Sequence, residues 1–290
     1  MAELHLVCEG AGNGLDHRVL MAAIAVPARV PIRVDPAGGH PQVRTVRAWL
    51  QSPARGDVVF SVEDRNYRPP VDAEATWQEA DGRSFMWRRH EIENYLLEPV
   101  VLSRALSSLR AAAALPQAEE EAEALLLRHA RPMLERHAGL VLHAQLREVK
   151  KSSRLKIELN DPRPPAGPAG AAEWLAAMQE EIARMKRDCI AVSALADLQP
   201  DAVRSRFDTI LGEVKSAAYE TVPTIPRELA GKQMLSAIAT ELGRLSAGRI
   251  TRRLLEEDLL IGFEQAYSEG RYPHDTDEFA ELRARIENSR

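Results

Sequence analysis

The spacing of apolar and polar positions changes along the chain. In the first hundred residues, two apolar and β-branched runs that contain or adjoin glycine read as buried strands ending in carboxylates: Leu4 to Gly10 (LHLVCEG) and Gly56 to Tyr67 (GDVVFSVEDRNY). Leu15 to Val26 has helical spacing and stops at Pro27. Val30 to Val34 predicts a second strand, Pro36 to Pro41 a loop, Val43 to Leu50 a second helix and Val58 to Val62 a third strand. Ser84 to Ile92 predicts a fourth strand, with a helix from about Asn94 through Arg110. Alternating β and α elements at this spacing imply parallel crossovers, hence an α/β fold with a small parallel sheet flanked by helices.

From Leu115 onward Ala, Leu, Glu and Arg dominate, as in Glu119 to Leu146 and Ala171 to Ala194, and β-branched runs disappear. The expected division is an α/β domain over 1–110 and a largely helical region over 111–290. Within the latter, Asn160 to Gly170 carries four prolines and reads as a loop or linker.

Composition narrows the function. Charged residues at 28% and hydrophobic residues at 45% describe a chain that folds. A net charge of -5 argues against coating nucleic acid by bulk charge, so any such contact is local. Two cysteines, Cys8 and Cys189, make neither a disulfide framework nor a zinc spacing and are expected as buried thiols. The N-terminal residues lack a basic region followed by a long apolar one, and no stretch approaches the ~18 apolar residues of a membrane span, so a cytoplasmic location without membrane attachment is expected.

The candidate chemistry gathers at strand ends, where open α/β sheets bind ligands. Glu9 follows the first strand directly; it reads as a catalytic carboxylate or as a solvated residue entering a turn. Asp64 and Asn66 are two apart, so a strand running through them would project both to one side toward a hard cation such as Mg²⁺ or Mn²⁺. Glu63 would point the other way or rotate in. The same residues also suit a polar turn. Arg88, Arg89, His90, Glu91, Glu93 and Asn94 form a mixed cluster in which arginines could hold phosphate and Glu91 or Glu93 a metal. Acidic residues at a helix start explain Glu91 and Glu93 equally. Gly231-Lys232-Gln233 is no P-loop, because Pro226 stands where the upstream glycine is required; Lys232 is a phosphate contact or a surface lysine. Arg249, Arg252 and Arg253 on a helix could bind a nucleic-acid backbone, and suit a solvated or acid-paired face better. The eight histidines show no zinc spacing, and none of the five tyrosines is singled out as a nucleophile.

Taken in order, LVCEG, Asp16, VVFSVEDRNY, RRHEIENYLLEP and GKQML resemble a bacterial Toprim-like family. It is related to the nucleases of the overcoming-lysogenization-defect class and includes the Toprim effector subunit of PARIS anti-phage systems. The resemblance covers about residues 1–105 and the short 231–235 segment. It implies a parallel α/β nuclease domain in which Glu9 is the acid or base and Asp64 the principal Mg²⁺ or Mn²⁺ ligand, with Glu93 next and Asn66 standing where a second aspartate is expected. Arg65, Arg88, Arg89 and Lys232 would then position a DNA or RNA backbone, tRNA among the candidates. The PARIS likeness also implies a separate ATPase partner, and a homodimer is one arrangement of the released effector. The alternative from the same residues is a Toprim fold that has lost catalysis and serves as a binding subunit of an ATPase or nucleic-acid complex.

Overall fold

The computed structural model describes residues 3–51, 56–79, 82–109, 118–152, 180, 200–220, 229–273 and 278–289. Strands β1 (Leu4–Cys8), β2 (Ile32–Pro36), β3 (Val58–Glu63) and β4 (Ser84–Met86) form one sheet in the order β2-β1-β3-β4, and every pairing is parallel. Parallel neighbours need crossovers, supplied by α1 (Leu15–Leu20) with one π-helical turn, Met21–Ala25, then by α2 (His40–Leu50) and by α3 (Pro70–Gln78). Leu6 pairs with both Val34 and Phe60, which brings the carboxyl ends of the central strands to one edge. All five residues of β1 are buried, as expected of a strand covered on both faces. Val43 and Leu50 of α2 pack on Val7 and Val59 of the sheet.

The chain forms two compact units. One joins 1–126 with 226–290, and the other comprises 127–225. The sheet therefore recruits helices from the far end of the chain: α8 (Gly231–Leu245), α9 (Arg252–Ser268) and α10 (Glu278–Glu287) belong to its unit, and not to a separate helical region beginning near 111. Phe279 of α10 closes an aromatic cluster with Trp87, Tyr95, Phe263 and Tyr272. Helix α9 lies against α4 (Pro99–Ser108) so closely that a Cβ on Gly262 would meet the Val101 carbonyl oxygen at 2.7 Å.

In the other unit, α6 (Leu134–Ser152) packs on α7 (Pro200–Glu220). The run expected over Glu119 to Leu146 is divided: α5 (Glu119–Ala130) ends in a 3-10 turn at Arg131–Met133, where Pro132 interrupts the α-helical hydrogen bonds, before α6 begins. The proline-rich stretch 160–170, Cys189 and most of the helix expected over 171–194 lie outside the described residues. Cys8 is free and buried.

Three local expectations are corrected. The fourth strand ends at Met86, and residues 88–91 form bends. The helix expected from Asn94 is a 3-10 turn, Ile92–Tyr95, followed by α4, whose first residue Pro99 fits a helix start and would clash inside one. The third strand ends at Glu63, so Asp64 and Asn66 do not share a strand face. Asn66 has φ 54° and its backbone N–H donates to the His90 carbonyl at 2.8 Å. A left-handed turn is a conformation asparagine adopts readily among residues other than glycine.

Candidate active site

Glu9 leaves β1 at the carboxyl edge. Its Oε1 accepts the backbone N–H of Asp64 at 3.0 Å, tying the end of β1 to the end of β3, and lies 3.1 Å from His40 Nδ1 at the start of α2. The next residue, Gly10, has φ 86°, and a Cβ there would come within 2.8 Å of Asp16 Oδ2. Glycine thus allows both the turn and the approach of the Asp16 carboxyl to the strand end. Gly38 N–H donates to the Gly10 carbonyl at 2.5 Å, which fastens the loop after β2 to the loop after β1.

Asp64 is 3% exposed. Its Oδ1 accepts the Ile92 N–H at 3.0 Å and its Oδ2 faces Lys232 Nζ at 3.6 Å. The same ammonium lies 3.8 Å from Glu91 Oε1 and 3.8 Å from Glu93 Oε1. Lys232 is placed by packing at the start of α8. A Cβ on Gly231 would meet Asn94 Oδ1 and Glu93 Cβ at 2.9 Å, so only glycine lets the helix start rest on the 92–95 turn. Asn94 Nδ2 donates to the Leu229 carbonyl at 2.8 Å, and Glu91 Oε2 accepts the Lys232 backbone N–H at 3.0 Å, satisfying an orphan donor of the helix. The ENYLL and GKQML segments, well over a hundred residues apart, are one structural unit.

Electrostatics follow from this crowding. Burial pushes Asp64 well above the usual carboxylate range; Lys232 opposes the shift, and Asp16, Glu9 and Glu93 add to it. Burial likewise raises Asp16, and it raises Glu93 to about 7. Lys232 is held above its ordinary value although burial disfavours its charge, because Glu93, Glu91, Asp64 and Asp16 surround it.

Glu9, Asp64, Glu93 and Lys232 are therefore brought together, joined by Asp16 and Glu91. Glu63 sits on the other side of Glu9, where His40 Nδ1 at 3.5 Å and Arg68 Nη2 at 3.8 Å face its Oε2. Asn66 turns its Nδ2 toward the Asp64 carbonyl oxygen at 3.3 Å, which makes its amide a brace for the turn.

The arginines expected on substrate are occupied by the fold. Arg65 is 3% exposed and donates to the carbonyls of Arg88 and Arg68, both at 2.9 Å. Arg88 pairs with Glu74 at 2.7 Å and Glu281 at 2.9 Å and stacks over Trp77. Arg89 is buried with Glu98 at 2.6 Å and lies over Tyr95. Arg252 and Arg253 pair with Glu256 and Glu257 on α9.

The donor chemistry fits a hard divalent cation: carboxylate oxygens converge, and Glu93 Oε2 is buried without a hydrogen-bond partner. Among the described residues, however, no three His, Cys, Asp or Glu side chains are arranged as a ready metal cage; the Lys232 ammonium stands where three carboxylates converge. Asp16 entered the sequence reading only as part of the resemblance and Glu91 only as an alternative metal ligand; His40 was not singled out as a site residue. Gly10 and Gly231, each needed for a close approach, are the local signals that bear on the first two.

Compared with known proteins, the chain matches no protein-family model and no curated protein. Among the described residues no helix is long and apolar enough to cross a membrane.

Proposed function

We propose that the chain is a Toprim-like phosphodiesterase that hydrolyses DNA or RNA, with tRNA a candidate substrate, using Mg²⁺ or Mn²⁺. The observation that supports it best is the bond from Asp64 N–H to Glu9 Oε1, with Asp64 in turn facing Lys232 beside Glu91 and Glu93 at the carboxyl edge of a parallel sheet. A bound divalent ion would lower the pKa of an attacking water and neutralise the scissile phosphate. Asp64, Glu93 and Glu9 would hold it. Glu9, fixed by the Asp64 N–H, would take the proton, and Lys232 would turn its charge from the carboxylates to phosphate. The chain would act in the cytoplasm as an effector of anti-phage defence, released by a separate ATPase.

One observation favours the second reading, a Toprim-fold subunit that binds without cutting. The Lys232 ammonium already occupies the point where the carboxylates converge, and Asn66 contributes no charge to them. Incubating purified protein with plasmid DNA and with total tRNA in Mg²⁺ or Mn²⁺ separates the two. Cutting abolished by both Glu9→Ala and Asp64→Ala identifies the hydrolase and its substrate. Absence of cutting, even with the ATPase present, together with no saturable Mn²⁺ binding by calorimetry, identifies the binding subunit.

A further inference from the structure

With Arg65, Arg88 and Arg89 engaged by the fold, the charge that would receive a substrate must come from elsewhere, and it lies on the other side of Glu9. Helix α2 starts at His40, in contact with Glu9 and Glu63. Arg44 and Arg47 follow it by four and seven residues, so all three share one flank of the helix, Arg47 about 10 Å along the axis from His40. Arg44 is exposed and makes no ion pair among the described residues. Arg47 is half-buried, and its Nε is buried without a hydrogen-bond partner. Arg83, at the foot of β4, is exposed, covers the Phe60 ring at 5.9 Å and lies close enough to oppose the charge of Arg47. Arg68 projects toward Glu63 from the turn after β3. Glu63 is drawn into this group, since it faces Arg68 and its charge also acts on Arg47, and the Glu79 carboxylate lies beside Gly82, the residue before Arg83.

The two sides of Glu9 thus have opposite character. Asp16, Asp64, Glu91 and Glu93 gather on one side around Lys232; on the other, Arg68 faces Glu63, Arg44 and Arg47 follow His40 along α2, and Arg83 lies near Arg47. The Arg47 and Arg83 guanidinium groups repel each other, and an anion between them removes that repulsion.

We propose that Arg44, Arg47, Arg68 and Arg83 form a track for the phosphodiester backbone of a nucleic-acid strand, leading along α2 to Glu9. The assignment rests on the nuclease reading for what happens at the end of the track, whereas binding along the track can be measured without it. Arginine suits the role because its planar fork binds phosphate oxygens in pairs. The track also reconciles local phosphate binding with a net charge of -5.

The test is fluorescence anisotropy of the full chain in EDTA, with a labelled single-stranded DNA oligonucleotide, an RNA of the same sequence, and total tRNA as competitor. Arg47→Gln/Arg83→Gln should weaken binding about tenfold or more and reduce the slope of log K against log salt by roughly 1.4 on a single strand, the loss of two phosphate contacts. Arg47→Lys/Arg83→Lys should retain most of the binding, and Arg253→Gln on α9 should bind as wild type. Far-UV circular dichroism and the melting temperature establish that each variant is folded. Whichever of the DNA and RNA probes binds more tightly names the strand. Wild-type affinity and slope in the double glutamine variant, or no binding of either probe by wild type, would overturn the track. Arginine-dependent binding with no saturable Mn²⁺ binding and no cutting in Mn²⁺, even with the ATPase present, would leave the track standing and remove the nuclease reading.

Discussion

Lys232 Nζ lies 3.6 Å from Asp64 Oδ2, so the first turn of α8 neutralises a buried carboxylate at the end of β3. The ammonium is half-exposed while Asp64 is buried, an arrangement in which the lysine keeps its water and the carboxylate depends on the lysine. Lys232→Met should therefore lower stability by about 1 kcal/mol at pH 8, after allowance for solvent screening of an exposed cation, and by less at pH 5, where the Glu93 carboxyl holds its proton. Urea midpoints at the two pH values measure this. An equal loss at both would mean that the lysine acts through packing of its stem.

Glu93 sets a second pH dependence. Burial raises its carboxyl from an ordinary 4.5 to about 7, with Glu91 and Asp16 adding to the shift and Lys232 opposing it. A group raised in the folded state contributes stability in full below its unfolded value, and that contribution is lost as pH rises through the folded one. In metal-free buffer, wild type should lose about 3 kcal/mol between pH 4.5 and 7 from this group, at about 1.4 kcal/mol per pH unit. Glu93→Gln removes the titration and should give a flatter profile. Denaturant titrations across that window decide the matter; parallel profiles for the two proteins would rule the assignment out.

Arg89 and Glu98 form a buried pair 2.6 Å apart, with side chains 2% and 3% exposed. Removing one partner leaves a buried charge uncompensated, at about 3–5 kcal/mol. Arg89→Met should thus cause a large drop in urea midpoint, and Arg89→Met/Glu98→Met should recover much of it, because two apolar side chains remove both desolvation penalties. A double-mutant cycle checks this. A catalytic arginine would behave otherwise, losing activity in a protein of unchanged stability.

The parallel sheet was legible because its strands are buried runs of a few apolar residues and its crossovers are periodic. Glu9 and Asp64 were legible because strand ends in such sheets bind ligands. The roles of Arg65, Arg88 and Arg89 were not. The sequence RRHE looks the same whether its arginines meet phosphate or Glu98, Glu74 and Glu281, and the last of these lies almost two hundred residues away. Asn66 was read either as a cation ligand standing for an aspartate or as part of a polar turn, and its φ of 54° places it in the turn. Helix α3 was missed because only Ala73 and Trp77 are buried, too few positions to set a period. Asp16 and His40 come to the end of β1 beside glycine turns, and a one-dimensional pattern shows the glycines without showing which side chain approaches them.

Two glycines in helices should respond to alanine in opposite directions. Gly231 opens α8, where a Cβ would lie 2.9 Å from Asn94 Oδ1 and Glu93 Cβ and 3.0 Å from the Asn94 backbone nitrogen. Asn94 cannot retreat easily, since its Oδ1 accepts the Glu91 N–H at 2.8 Å and its Nδ2 holds the Leu229 carbonyl. Gly231→Ala should therefore destabilise the chain by about 1–3 kcal/mol, and by moving α8 it should shift Lys232 away from Asp64. Gly212 in α7 has open space around it. There the added methyl relieves only the backbone entropy of glycine, and Gly212→Ala should stabilise by about 0.5–1 kcal/mol. Urea denaturation of both variants measures the pair. A stabilising Gly231→Ala would mean that the start of α8 yields to the methyl, and that the contact between GKQML and ENYLL does not require glycine.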